Sequence, residues 1–265
     1  MENQDLIKVA EDFVQNSEDN YISKDIAISQ NLVGMKIFDT PILGFACPDD
    51  EYFNLLKSPS VIGEHFIHPK EWLEGSKTVI SIFLPFSDSV RKGNIRDRTW
   101  PSEEWLHGRI EGQILVNKLS DHLNSKLLGS GYHSLVPTLD DRFSVGEFTS
   151  NWSERHIAFG CGLGTFGLSK GLITKKGLAG RFVSIITELY LFPDKREYKN
   201  TYEYCSMCGE CVINCPVNAI SIENGKDHLI CSRFLEKTKE KYSPRYGCGK
   251  CQIDTPCESR IPSKQ

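Results

Sequence analysis

The sequence predicts an α+β protein in two unequal parts, an α/β domain over residues 1–198 and a small cysteine-rich module over residues 199–265. Three observations carry that division. Apolar residues recur with helical spacing near the N-terminus and again after Pro101, the run Thr78 to Leu84 is apolar on both faces, and eight of the ten cysteines follow residue 204. At 265 residues, 39% of them hydrophobic, the chain is long enough for one sizeable core and an appended module.

In chain order, Leu6, Val9, Ala10, Phe13 and Val14 fall at i, i+3, i+4, i+7 and i+8, so residues 3–16 form an amphipathic helix. Residues 31–47 read as one or two strands broken by the Asp39-Thr40-Pro41 turn, and Cys47, with no cysteine near it, reads as a packed small hydrophobe. Pro69 opens a short helix carrying Trp72. Thr78 to Leu84 is an interior strand. Residues 87–100 read as a polar loop whose Arg91, Lys92, Arg96 and Arg98 suit a phosphate group, with a solvated loop as the simpler reading. The longest helix starts near Ser102 and stops at Gly129 and Gly131. A strand follows at 132–136, then a polar stretch, then a helix opened by Ser153.

Gly160 to Gly167 places four glycines in eight residues, which brings the backbone close to another element or a ligand. The spacing is not that of the dinucleotide fingerprint, and a helix precedes it where that fingerprint has a strand. His156 and Cys161 read as core or surface residues. Leu172 to Thr174, the Lys175-Lys176-Gly177 turn and Arg181 to Leu189 look like one hairpin, and residues 192–204 like a polar linker.

The module carries the chemistry. Cys205-x2-Cys208-x2-Cys211-x3-Cys215-Pro216 has the spacing of bacterial ferredoxins, in which three thiolates bind one iron–sulfur cube and the fourth reaches a second. Cys231, Cys248, Cys251 and Cys257 complete eight ligands. The tight loop eased by Gly209 groups Cys205, Cys208 and Cys211 with the distal Cys257, while Pro216 turns Cys215 away, at the start of a short helix, to join Cys231, Cys248 and Cys251. Two 4Fe-4S clusters follow. Zinc needs four ligands in a tetrahedron and has no use for a third cysteine in such a run. A disulfide framework is disfavoured because Met1-Glu-Asn-Gln-Asp begins no secretory signal, which also points to the cytoplasm. No membrane span is expected, and a net charge of -4 gives no general reason for a polyanionic partner.

Glu154-Arg155 followed by Gly162-Leu-Gly164-x-x-Gly167, the lone Cys231 sixteen residues after Cys215, and Tyr246-Gly247-Cys248-x-x-Cys251 together resemble the epoxyqueuosine reductases, and more distantly the iron–sulfur part of reductive dehalogenases. The resemblance implies a nitroreductase-like, cobalamin-reductase-type α/β domain holding base-off cobalamin. Gly162, Gly164, Gly167 and Ile173 then lie near the corrinoid, and electrons pass from the clusters to cobalt. There are departures. The family's acidic proton donor stands six positions before the Glu of the Glu-Arg pair, where this chain has Phe148 beside Glu147. Cys251 to Cys257 is two residues longer than the usual spacing, and the twin-arginine signal of secreted dehalogenases is absent. No helical-repeat extension is expected after Gln265, which argues against tRNA as a partner.

The expected protein is an oxygen-sensitive oxidoreductase that takes electrons singly from a ferredoxin or flavodoxin and passes them through two clusters to a cofactor. The alternative is an electron carrier or reductive activator for a corrinoid protein partner, with no substrate chemistry of its own. An enzyme predicts a cofactor-sized pocket; a carrier predicts a cluster beside an exposed docking face.

Overall fold

A four-stranded antiparallel sheet with helices on both faces positions every other element in this computed structural model, which describes residues 1–263. The chain opens with α1 (Asn3–Asn16), which buries Leu6, Ala10 and Val14 and is closed at its start by Asp5 accepting from the Glu2 N–H at 2.7 Å. Strand β1 (Ile42–Ala46) leads to α2 (Glu51–Leu55), capped by Asp50, and α3 (Pro69–Trp72), with proline at its first position. Then come β2 (Thr78–Pro85), α4 (Asp88–Gly93) and α5 (Glu103–Gly129), whose first turn is capped by Ser102 accepting from the Trp105 N–H at 3.2 Å. The pairs β3 (Ser134–Leu135) and α6 (Glu154–Gly160), β4 (Gly164–Phe166) and β5 (Leu172–Thr174) precede β6 (Gly180–Thr187). The cysteine-rich segment holds α7 (Glu210–Ile213), β7 (Ile220–Ser221), β8 (Gly225–Lys226) and α8 (His228–Tyr242), the last capped by Asp227.

The sheet runs β1-β2-β6-β3, so β2 and β6 are interior, and every residue of β2 is buried. Strand alternation sorts its side chains. Ile80, Ile82 and Leu84 pack with Leu6, Ala10 and Val14 of α1 and with Leu115 and Leu119 of α5; Val79 and Phe83 face the other way, toward Ile157 and Ala158 of α6. Each such side chain contributes about 1.5–3 kcal/mol on burial, which is why an apolar run with no alternation marks this strand. Among the described residues no helix is long and apolar enough to cross a membrane.

Three local expectations are corrected. Residues 87–100 contain α4, because the Ser87 hydroxyl accepts from the Val90 N–H at 3.4 Å, and their cations are engaged: Arg91 and Lys92 with Asp88, Arg96 with Glu104, Arg98 with Asn214. Leu172 to Thr174 does not form a hairpin with Arg181 to Leu189; β5 turns back on β4, and β6 enters the main sheet between β2 and β3. The cause lies at Gly164. An added Cβ there collides with the Ile173 carbonyl, so glycine permits the backbone contact that holds the small hairpin together. Residues 192–204 are not a loose linker: Asp194 exchanges hydrogen bonds with Phe45, the Phe166 N–H donates to the Thr201 carbonyl at 2.8 Å, and the Tyr204 N–H donates to Thr165 Oγ1 at 2.8 Å.

Candidate metal centres and the adjoining cleft

The eight cysteines of the C-terminal segment gather in two adjoining cavities. Cys205, Cys208, Cys211 and Cys257 line the outer one, together with Gly167, Met207 and Ile173. Cys215, Cys231, Cys248 and Cys251 line the inner one, against Trp105 and Phe234. Cys257 is held there from the sheet side, its carbonyl accepting from the Leu178 N–H at 3.0 Å. That anchor explains how the longer spacing after Cys251 still returns a cysteine to the outer cavity.

The local folds follow from glycine and helix chemistry. Gly209, at φ 80°, turns the chain between Cys208 and α7, which carries Cys211. The short helix therefore lies before Cys215, and Pro216 starts none. The chain instead turns at Cys215 so that the Ala219 N–H donates to its Sγ at 3.2 Å, the kind of hydrogen bond that stabilises a thiolate ligand. Cys231 sits in the first turn of α8. Cys248 and Cys251 flank Gly249, at φ 70°, on a turn pinned by Asn94: its Nδ2 donates to the Cys248 carbonyl at 2.9 Å, and its own carbonyl accepts from buried Lys250 Nζ at 2.6 Å.

Burial pushes the Cys211 and Cys248 thiols up to about 12 and Cys257 up to about 11. Such thiols stay protonated at neutral pH until a metal displaces the proton. Cys251 is also among the neighbours that raise Cys211, which places the two cavities within electrostatic reach of each other. Among the described residues no three His, Cys, Asp or Glu side chains converge on a point that suits a single ion. Four sulfurs around a cavity fit the larger iron–sulfur cube.

A cleft of about 400 Å³ opens beside the inner cavity and shares Arg109, Gly180, Arg181 and Gln252 with its wall. Trp152, Glu154 and Arg155 form its other side. Both carboxyl oxygens of Glu154 are buried without a hydrogen-bond partner. Burial raises this carboxyl to about 7, and the neighbouring Ser184 and Trp152, joined by a 2.9 Å hydrogen bond that Trp152 Nε1 donates to Ser184 Oγ, pull it partway back. Arg181 donates to Gln113 and is lowered to about 10, by burial first and then by the nearby Arg109, whose guanidinium lies 4.1 Å from the Tyr246 ring centre.

Gly162, Gly164, Gly167 and Ile173 do not line this cleft. Gly164 and Ile173 meet backbone to backbone, Gly167 and Ile173 back the outer cavity, and Gly162, at φ 79°, approaches Asp194. Cys161 is a fully buried core residue whose thiol burial pushes well up, and His156 stacks on Phe166 with ring centres 4.9 Å apart. Arg109 and Arg181 escaped sequence reasoning, since no motif surrounds either one. Phe148 lies in an exposed turn at φ 60°, and Glu147 beside it is exposed too.

The cysteine geometry defines an iron–sulfur protein, and the sequence profile of the 4Fe-4S binding domain matches residues 199–221. The fold has identifiable relatives. An epoxyqueuosine reductase solved with an epoxyqueuosine-modified tRNA stem loop superposes with a TM-score of 0.54 at 18% identity, over 96% of this chain and 64% of that one. A reductive dehalogenase whose structure suggests a mechanism for B12-dependent dehalogenation superposes with a TM-score of 0.57 at 15% identity, over 83% of this chain and 30% of that one. In sequence, the tetrachloroethene reductive dehalogenase of Desulfitobacterium hafniense is 40% identical over 68 residues, 25% of this chain and 12% of the dehalogenase. The chain thus has the fold shared by epoxyqueuosine reductases and reductive dehalogenases, as its motifs suggested, and spans less than two thirds of the length of these relatives.

Proposed function

We propose that this protein is an oxidoreductase with two 4Fe-4S clusters, the outer held by Cys205, Cys208, Cys211 and Cys257 and the inner by Cys215, Cys231, Cys248 and Cys251, with residues 199–265 as the electron-transfer module. The carrying observation is that the eight cysteines divide into two adjoining quartets, one of which shares a wall with a cleft. When bound, the clusters supply one-electron transfer. The chain's own residues do the rest. Cys208 is exposed, and Met207, Ile213 and Ile222 present apolar surface near it, which suits docking of a ferredoxin or flavodoxin in the cytoplasm. Trp105, Phe86 and Phe234 keep water from the inner cavity, and Lys226 and Arg181 place positive charge on its wall.

Base-off cobalamin as the electron acceptor is supported by the fold shared with the B12-dependent dehalogenase. A corrinoid with its nucleotide loop exceeds the drug-sized molecules that fill pockets of about 300–1,000 Å³, and the cleft of about 400 Å³ does not enclose it. The described residues therefore do not fit the whole cofactor, and the cleft is read as holding a substrate or one edge of a larger group. The apolar face beside Cys208 equally favours a second reading, a reductive activator that passes electrons to a corrinoid protein.

Anaerobic reconstitution with iron and sulfide counting, followed by EPR with cob(II)alamin, separates these readings. About eight irons and a base-off cobalt signal support the cobalamin enzyme. The same iron content with unchanged cobalt points to the activator, and protein that binds no iron overturns both.

A further inference from the structure

Four residues of the charged types are buried among the described residues: Glu104, His107, Glu111 and Lys250. Glu104 meets Arg96, and Glu111 meets both His107 and Arg245. Lys250, only 2% exposed, forms no ion pair among the described residues. Its ammonium donates to the Asn94 carbonyl at 2.6 Å and to Asn94 Oδ1 at 3.1 Å, both of them neutral acceptors. Asn94 is buried and held on two further sides: its Oδ1 also accepts from the Ser102 N–H at 3.0 Å, and its Nδ2 donates to the Cys248 carbonyl at 2.9 Å. The Lys250 side chain thus runs behind the Cys248–Cys251 turn and does not line the inner cavity. A cation taken out of water with no counter-charge is strongly unfavourable. Burial works against this charge, and Cys248 first and Asp97 second act to keep it.

We propose that the buried Lys250 ammonium, fixed by Asn94, is the built-in counter-cation of the inner cluster, a positioning residue that lets a cluster packed away from water accept an electron. The proposal rests on the preceding reading that Cys215, Cys231, Cys248 and Cys251 hold that cluster. Four thiolates outweigh the positive charge of an iron–sulfide core, so the loaded site is net negative, and one unit more so when reduced. Trp105, Phe86 and Phe234 keep water from this cavity, so solvent does little for the added charge. A cation held in the same low-dielectric surroundings acts on it far more strongly than a solvated one. Lys226 lines the inner cavity too, but it is half-buried, whereas Lys250 is nearly sealed from water. The wall of the outer cavity holds no lysine or arginine. The step that Lys250 serves is a one-electron transfer: the inner cluster is reduced, a ferredoxin- or flavodoxin-type donor is oxidised by the same electron, and no bond or proton moves.

An EPR-monitored redox titration of the full chain, purified anaerobically with its iron counted, tests this in Lys250→Met and Lys250→Gln. The inner signal is the one altered in Cys248→Ala. Glutamine still donates a hydrogen bond toward Asn94 but carries no charge, so it separates the two roles. In both neutral variants the ratio of reduced to oxidised inner cluster at a fixed applied potential falls on the order of tenfold, which is about 59 mV for one electron, and the outer signal stays in place. A wild-type inner potential in either variant, or an equal shift of both signals, overturns the proposal. Should both variants lose the inner irons, Lys250→Arg decides: retention of about eight irons with the charge restored supports the proposal, and loss there too overturns it. Full iron content with an unmoved inner potential sinks this inference alone, whereas wild-type protein that binds no iron sinks it together with the cluster reading.

Discussion

The outer and inner cysteine cavities are built from the same device, two cysteines separated by two residues with a glycine in the left-handed region beside them, set in opposite surroundings. Around Gly209 the chain is open: Cys208 is exposed and Ile213 is 72% exposed. Around Gly249 it is packed against Trp105, which is 4% exposed, and bordered by Lys226, Lys250 and Arg181. The ligand spacing decides that a cluster binds, while the second contact layer decides what that cluster meets. The outer site meets solvent; the inner one meets cations and the cleft.

The largest expected effect breaks the two sites apart at their glycines. In Gly249→Ala the new methyl is driven into the Trp105 ring from a backbone at φ 70°, so the turn and the indole cannot both keep their places. That costs about 3 kcal/mol or more and removes about four irons, those of the inner cavity. In Gly209→Ala the nearest atom is Ile222 Cδ1 at 3.5 Å, so only the left-handed backbone is penalised, at about 1–2 kcal/mol, and all iron stays. Iron counts and Mössbauer spectra of both variants check this; equal losses would mean that the surroundings do not distinguish the sites.

The next effect is electrostatic. Lys226 lines the inner cavity; burial works to lower its ammonium pKa, and the charges of Cys251 and Cys231 outweigh burial, so it stays charged. A cation there favours the reduced, more negative cluster. Lys226→Met therefore lowers the inner potential by an amount on the order of 50 mV and leaves the outer one where it was. An EPR-monitored redox titration resolves the two signals, and a shift confined to the outer signal would reverse the assignment of the cavities.

Much of this architecture was legible because it rests on local rules. The ferredoxin spacing, the β2 run with both faces apolar and the Ser102 cap each state their structure within a few residues. What was hidden depends on tertiary approach. Leu172 to Thr174 carries a strand signal that fits two partners, and only the missing Cβ of Gly164 selects β4. Asp88 and Glu104 neutralise cations that read as free in an apparently open loop. Glu154 and Arg155 stood out as a motif, yet the state of that carboxyl follows from burial beneath Trp152 and Ser184, which no spacing reveals.

The smallest effect reaches the outer cavity through its back wall. His156 of α6 stacks on Phe166 of β4, and its Nδ1 is 2.8 Å from Ser153 Oγ. Burial, and after it Arg155, hold this imidazole down at about 4, so it is neutral in the fold. In the unfolded chain it titrates near 6.5, so on acidification the unfolded state takes the proton first. The stability that the neutral ring contributes is complete above about pH 6.5 and is lost as the pH falls from there toward 4. Urea unfolding of the wild type should show a loss of about 0.7 kcal/mol between pH 7 and pH 6 that His156→Phe, which keeps an aromatic ring against Phe166, does not show. Because β4 and β5 back the outer quartet and not the inner one, the wild type should release outer iron first over this range. Inner iron leaving first would mean that the hairpin supports the opposite site.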